Sequence, residues 1–254
     1  MNEAFSRSAL LWGEEGNERL RAAHVAVFGV GGVGGYAVEA LARAGVGALT
    51  LVDSDVIAQS NLNRQLIATV DTIGMSKVQA AKQRVLSIHP ECRVTALPMF
   101  YLPENADEIP LAHFTYIIDA IDTMSAKIEL ITRAAAARVP IVCAMGCGNK
   151  LDPTRFCVTD LYKTSTDPVA RVLRRELRRR GIEKLEVVYS TEPARQPLAP
   201  PDHAGEDEKA LPRQEGKDAS ASPRARQTPG SVSFVPGAAG LILAGVVIRA
   251  IAGV

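Results

Sequence analysis

The sequence predicts an α/β fold: a doubly wound, Rossmann-like, mostly parallel sheet with helices on both faces. Three observations predict it. Short apolar runs of four or five residues recur, as strands buried on both faces require. Segments with apolar residues at helical spacing separate them, which gives the right-handed crossovers of a parallel sheet. A glycine-rich hexapeptide, Gly29-Val30-Gly31-Gly32-Val33-Gly34, joins the first run to the first helical segment, the place where such folds bind nucleotides.

Taken in order, Val25 to Phe28 is a short apolar run ending at glycine, and reads as the first strand. Gly34 to Ala44 follows as a helix with Val38, Leu41 and Ala42 on one face. Ala48 to Val52 is a strand that runs into Asp53. Ser76 to Ile88 is helical, with Val78, Ala81, Val85 and Ile88 at helical spacing. Val94 to Leu97, Tyr116 to Ala120 and Ile141 to Ala144 are further strands, and a helix from Ser125 to Arg138 separates the last two. After Asp152 come a strand from Phe156 to Asp160, a basic helix from Pro168 to Gly181 and a short strand from Val187 to Tyr189. That helix is opened by its proline and closed by its glycine.

Pro193 to Gly230 holds seven prolines and no Val, Ile, Phe, Tyr or Trp. Such a segment cannot bury enough apolar surface to offset its ordering entropy, so it reads as a mobile loop. Val232 to Val235 then reads as a strand and Gly237 to Ile251 as a buried helix. Ordered elements on both sides make the loop an excursion from one domain spanning residues 1–254.

Composition narrows the function classes. The chain has 254 residues, 47% of them apolar and 22% charged, and a formal charge of +1. That charge supplies no global field for nucleic acid or an anionic membrane, so such a partner must read a local patch. Four cysteines with no C-x-x-C pair exclude a disulfide scaffold and a four-cysteine zinc site. The N-terminus lacks the pattern of a signal peptide. Gly237 to Val254 is apolar but short, glycine-rich and interrupted by Arg249, so a core helix is favoured over a span. A cytoplasmic protein without a membrane role is expected.

The hexapeptide turns tightly, lets a phosphate approach the backbone and leads to a helix N-terminus with free N–H groups. Asp53 lies 24 residues after Gly29, where a carboxylate accepts hydrogen bonds from ribose hydroxyls. By itself the pattern says nucleotide, and a dinucleotide such as NAD is the commoner ligand. The residues beyond Asp53 favour ATP. Asn61, Arg64 and Gln65 cluster just after it, and Lys77 opens the next helix. A guanidinium fork grips phosphate oxygens, and a compact ammonium suits an α-phosphate under attack. The fourth strand runs into Asp119 and Asp122. Asp122 is a candidate magnesium ligand, because magnesium takes one or two carboxylates plus substrate phosphates. Asp119 suits either that crevice or a structural bond to backbone.

Together GVGGVG, Asp53-x-Asp55, SNLNRQ, Lys77 and the A-I-D ending at Asp122 resemble the adenylating domain of the ubiquitin-activating, ThiF/MoeB-like superfamily. Within it the chain most resembles the tRNA threonylcarbamoyladenosine dehydratases. The stretches that carry this are RSALLWGEEG from Arg7, VEALARAGVG from Val38, IDAIDT from Ile118, GNKLDPT from Gly148, DLYKTS from Asp160 and VVYSTE from Val187. The resemblance implies ATP-dependent cyclisation of threonylcarbamoyladenosine at position 37 of tRNA through an acyl-adenylate. It further implies that Gly29, Gly31, Gly32 and Gly34 hold phosphates, that Asp53 holds the ribose with Asp55 in the same nucleotide site, and that Asn61, Arg64 and Lys77 serve the triphosphate. Asp122 would hold Mg2+, and Arg7 would reach a partner subunit's site in a homodimer. The segment from 193 to 230 resembles the superfamily's crossover loop, and the last strand and helix its closing elements.

Two other readings stay open: adenylation of the C-terminal glycine of a small sulfur-carrier protein, and an NAD(P)-binding reductase. The sequence leaves undecided whether a protein partner supplies sulfur or electrons. Carrier activators commonly carry two C-x-x-C pairs, absent here, and the 193–230 segment has no cysteine for thioester transfer. Cys143 and Cys147 read as packing residues. Arg171, Arg174, Arg175, Arg178 and Arg179 concentrate charge on one helix. They read either as a solvated face balanced by Glu176, Glu183 and Glu186 or, with a tRNA substrate, as a patch for its phosphates.

Overall fold

In the computed structural model, which describes residues 3–198 and 229–254, the strands are β1 (His24–Phe28), β2 (Ala48–Val52), β3 (Arg93–Leu97), β4 (Tyr116–Asp119), β5 (Ile141–Ala144), β6 (Phe156–Asp160) and β7 (Glu186–Ser190). The main helices are α1 (Ser6–Ala22), α2 (Gly34–Arg43), α3 (Lys77–Ile88), α4 (Met124–Ala137), α5 (Pro168–Arg179) and α6 (Phe234–Ala252). The seven strands form one sheet in the order β3-β2-β1-β4-β5-β7-β6. All pairs are parallel except β6 with β7. The order reverses at β1–β4, the switch point where α/β sheets open a crevice at the strand C-termini.

The alternation of side chains along each strand builds the two outer layers. On β1, Val25 and Val27 join a core made with Val38 and Leu41 of α2, Val78 and Val85 of α3, and Leu243 and Val247 of α6. Ala26 and Phe28 face the other side, against Ala126, Leu130 and Ala134 of α4. A third cluster joins Cys143 of β5 and Val187 of β7 to Leu173 and Leu177 of α5. The doubly wound fold is therefore the expected one, with strand boundaries within a residue of those read from sequence.

Two stretches differ from expectation. Val232–Val235 is not a strand: helix α6 starts at Phe234 and carries Pro236 in its first turn. The first-turn N–H groups have no intrahelical acceptor, so proline costs nothing there and its fixed φ favours the helix. Val235 is fully buried from that helix, so its apolar character is satisfied without a strand. The N-terminal segment, with no predicted element, forms α1, broken at Gly13 (φ 73°, ψ 171°). The break is pinned by the Trp12 indole N–H donating to Asn17 Oδ1 at 2.8 Å. The anticipated loop falls largely outside the described residues, at positions 199–228.

Helix α6 is long and apolar enough, by length and composition alone, to cross a membrane. Here it packs on the sheet and on α2. A Cβ placed on Gly240 would lie 2.2 Å from the Val33 carbonyl oxygen, so glycine is what lets α6 come this close to the phosphate loop.

Candidate nucleotide site

The loop between β1 and α2 is held by backbone. The Gly29 N–H donates to Val52 O at 2.8 Å, and Gly29 has φ +86°, a region open to glycine. A Cβ there would stand 2.5 Å from Ala120 O, and one on Gly34 would stand 1.8 Å from Gly29 O. These two glycines are needed to fold the loop. Gly31 and Gly32 differ. The nearest atom to a Cβ on Gly31 is Gln65 Nε2 at 3.8 Å, and on Gly32 the Pro236 Cβ at 3.4 Å and Arg64 Cγ at 3.5 Å. A Cβ on Gly31 would have room, whereas one on Gly32 would be in ordinary contact with Arg64 and the first turn of α6.

Asp53 ties this loop to the next. Its Oδ2 accepts the Val30 N–H at 2.7 Å and its Oδ1 the Asp55 N–H at 2.9 Å. Burial raises its pKa above the ordinary carboxylate value, with Lys77 and the two N–H donors opposing. Lys77 sits at the start of α3, 6% exposed, and its Nζ is 2.7 Å from Asp55 Oδ2. Asn61 is buried, and its Oδ1 accepts the Ala58 N–H at 3.1 Å, which shapes the turn that carries Arg64. The Arg64 Nη1 donates to Ser60 O and Asn63 Oδ1, both at 2.9 Å. Gln65 is 7% exposed, and its Oε1 has no hydrogen-bond partner. A buried acceptor without a partner is costly, and the Nε2 of the same carboxamide is the atom nearest a Cβ on Gly31.

Asp122 is exposed in the turn after β4, with the Thr123 hydroxyl 3.4 Å from its Oδ1. The described residues contain no group of three metal-ligating side chains. A divalent ion here would therefore draw its remaining ligands from phosphates and water. Asp119, by contrast, is fully buried. Its Oδ2 is 2.6 Å from Lys127 Nζ, and its Oδ1 accepts the Ile121 N–H at 3.0 Å. Of the two readings open for it, the structural one holds. Lys127 also donates to Ala144 O at 3.1 Å, so it joins the ends of β4 and β5 beneath the crevice. Sequence reasoning missed Lys127. The available signal was a lysine in register with Leu130, Ile131 and Ala134 on the buried face of α4.

Arg7 stands apart from these groups. It is exposed near the start of α1, two residues beyond Phe5, whose ring packs on Gly45 and edge-on to His89. Those contacts lie before β2 and after α3, at the end of the sheet opposite the phosphate loop. Within one chain Arg7 is thus not brought to the site. The cysteines are packing groups: burial pushes the Cys147 thiol up to about 12 and Cys143 well above its ordinary value.

The basic helix α5 presents a shallow cavity of about 460 Å³ lined by Arg171, Arg174, Arg175, Arg178 and Arg179. Its arginines are not equivalent. Arg174 is spent on the Thr164 carbonyl and hydroxyl, Arg178 lies over the Tyr162 ring at 5.1 Å, and Arg175 and Arg179 share Glu176. The helix is capped by Asp167, whose Oδ1 accepts the Ala170 N–H at 2.8 Å while its Oδ2 takes the Gly146 N–H at 3.2 Å. Asp167 thereby fixes the start of α5 to the loop after β5.

Comparison with known proteins agrees with this architecture. The ThiF family model matches residues 5–254. The chain is 43% identical over 249 residues, 98% of this chain and 94% of the relative, to a tRNA threonylcarbamoyladenosine dehydratase of Bacillus subtilis. It is 39% identical to the Escherichia coli protein of that name over 198 residues, 75% of this chain and 74% of the relative. A crystal structure of the E. coli tRNA N6-threonylcarbamoyladenosine dehydratase in complex with AMP superposes with a TM-score of 0.84 at 32% identity, covering 99% of this chain and 94% of that one.

Proposed function

The chain belongs to the ThiF family, and from that premise we propose that it is an ATP-dependent tRNA threonylcarbamoyladenosine dehydratase. ATP adenylates the carboxylate of the threonylcarbamoyl group, pyrophosphate leaves, and attack on the acyl carbon from within the same modification expels AMP and closes a ring. Both partners of the closing step sit on one side chain, so the protein need only activate, align and exclude water.

The observation that carries this reading is the room beside the Gly31 backbone, bordered by the Gln65 carboxamide, with Arg64 flanking Gly32. That arrangement suits a polyphosphate laid against free N–H groups at the α2 N-terminus. In this reading Asp53 faces the ribose, Asp55 holds Lys77 beside it, and Asn61 holds the turn that aims Arg64. Lys77 exchanges Asp55 for phosphate. Asp122 would hold Mg2+ together with the phosphates, and the ion would draw charge from the departing pyrophosphate. Relatives named for ATP- and AMP-bound forms of the E. coli dehydratase support the nucleotide.

The tRNA backbone is assigned to the α5 face, chiefly Arg171, Arg175 and Arg179. A homodimer is supported by Leu10 and Leu11 of α1, 85% and 78% exposed, next to an Arg7 that cannot serve its own chain's site. A cytoplasmic location fits a tRNA substrate.

The test is release of pyrophosphate and AMP from ATP and Mg2+, with and without threonylcarbamoyl-modified tRNA, with the nucleoside weighed by mass spectrometry. The expected result is tRNA-dependent release and loss of one water from the nucleoside. Turnover that ignores the tRNA but responds to a carrier protein ending in Gly-Gly would replace this reading with the sulfur-carrier one. Nicotinamide binding without ATP turnover would replace it with a reductase.

A further inference from the structure

Two asparagines outside the expected site share one short segment. Asn63 donates from Nδ2 to Ser231 O at 3.0 Å while its Oδ1 accepts the Arg64 guanidinium at 2.9 Å. Asn149, in the left-handed region at φ 59°, closes a two-bond pair on the neighbouring residue. Its N–H donates to Gly230 O at 2.8 Å, and its Oδ1 accepts the Gly230 N–H at 2.7 Å. Its own carbonyl accepts the Arg195 N–H at 2.8 Å, and Gly148 is in contact with Pro229, where a Cβ would come within 2.9 Å. Residues 229–231 are thus gripped from one side by the turn after β2 and from the other by the turn after β5. Five residues further on, Pro236 lies over Gly32.

We propose that Asn63 and Asn149 are positioning residues that latch the segment before α6 across the crevice, so that Arg64 and the first turn of α6 hold one geometry over Gly32. The latch works in series. Asn149 fixes Gly230, Gly230 fixes Ser231, Ser231 fixes the Asn63 carboxamide, and that carboxamide fixes Arg64. An asparagine suits the middle of this chain because its amide donates on one side and accepts on the other. A carboxylate could keep Arg64 but could not donate to Ser231. At Asn149 the left-handed backbone is one that asparagine and glycine tolerate and most residues do not.

The inference rests on the nucleotide reading of the loop, and its test separates the two. Equilibrium binding of ATP with magnesium chloride is measured for the full chain and for Asn63→Ala, Asn63→Asp, Asn149→Gly and the Asn63→Ala/Asn149→Gly pair. Melting without ATP is followed in parallel. Asn149→Gly removes the side-chain acceptor while keeping the backbone bonds and the positive φ. Each single variant is expected to weaken ATP about threefold to tenfold, the range for one or two neutral hydrogen bonds. The double variant is expected to be no weaker than the weaker single, because elements in series fail together. Asn63→Asp is expected to behave like Asn149→Gly.

Multiplying effects in the double variant, Asn63→Asp that binds like the unaltered chain, or unchanged ATP affinity in all variants would overturn the latch. Affinity losses matched by an equal loss of melting stability would do the same, since they report folding alone. Failure of the unaltered chain to bind ATP would remove the nucleotide reading itself, and the latch with it.

Discussion

Gly31→Ala should separate the folding of the phosphate loop from its use. Gly31 has no positive φ, and a methyl there meets nothing closer than Gln65 Nε2 at 3.8 Å, an ordinary van der Waals distance. Folding should therefore be unharmed, and loss of glycine's freedom in the unfolded chain could add about 0.4–1 kcal/mol. The same methyl stands where a phosphate must touch backbone, so ATP affinity should fall at least about tenfold, or about 1.4 kcal/mol. Gly34→Ala supplies the contrast. Its methyl would lie 1.8 Å from Gly29 O, backbone against backbone, so the loop must move and stability should drop by about 3 kcal/mol or more, in the range of severe overpacking. Urea unfolding with and without ATP and Mg2+ reads both quantities. Gly31→Ala should keep its unfolding midpoint without ATP and lose the ATP-induced shift, which follows from linkage. A Gly31→Ala chain that is stabilised by ATP as much as the unaltered one would refute the claim that this face of the loop carries phosphate.

Other perturbations test separate parts of the structure. Lys127→Met should cost about 3–5 kcal/mol, because it leaves the buried Asp119 carboxylate without its partner at 2.6 Å, whereas pairing it with Asp119→Leu should recover much of that in the same unfolding assay. Glu39 is held by Arg84 and Arg43; burial raises its pKa, but the guanidinium groups outweigh burial and leave it below the ordinary value. Its contribution to stability is thus present above the ordinary glutamate pKa and lost as pH falls through the lowered one, so Glu39→Gln should flatten the acid limb of a stability–pH curve. Charge reversal at Arg171 and Arg175 should weaken tRNA binding and reduce its salt slope by about 1 per lost phosphate contact. Reversal at Arg174 should instead destabilise the fold, because that side chain is committed to Thr164.

What the sequence made legible was local. The sequence places β2 at Ala48–Val52 and it is found there, because a buried strand announces itself by an apolar run closed by glycine or an acid. The phosphate loop was legible for the same reason: strand, glycines and helix are contiguous. α1 escaped because the break at Gly13 divides it into two pieces too short to show a helical period. Val232–Val235 looked like a strand because β-branched and aromatic residues satisfy either state over four positions, and the proline that decides it lies one residue later. The partnerships that organise the site were out of reach. Asn63 meets a carbonyl 168 residues away, and Asn149 meets a glycine 81 residues away; nothing in composition or spacing links them. Lys127 was hidden differently, since a lone lysine on a helix is ordinarily solvated and only the fold brings Asp119 to it.

Asp53 shows why the glycine loop alone could not decide between a dinucleotide and ATP. An acid at the end of β2 serves both, and here both of its oxygens already accept backbone N–H groups, one from the loop and one from the turn that follows. Each oxygen keeps a second lone pair, so a ribose hydroxyl can add to these bonds without displacing them. The decision lies in the next layer outward. Lys77 is buried and satisfied by Asp55, while Arg64 is held by neutral carbonyl groups. Cations held by such partners can exchange them for phosphate, since a polyphosphate offers more charge than either partner does. The Asp55–Lys77 pair would have to open for Lys77 to reach a phosphate, and that opening is a cost ATP binding would offset. Asp55→Asn should then tighten ATP or leave it unchanged while lowering stability in its absence, as measured by binding and unfolding on one preparation. A loss of ATP affinity in that variant would instead mark Asp55 as a direct partner of the nucleotide.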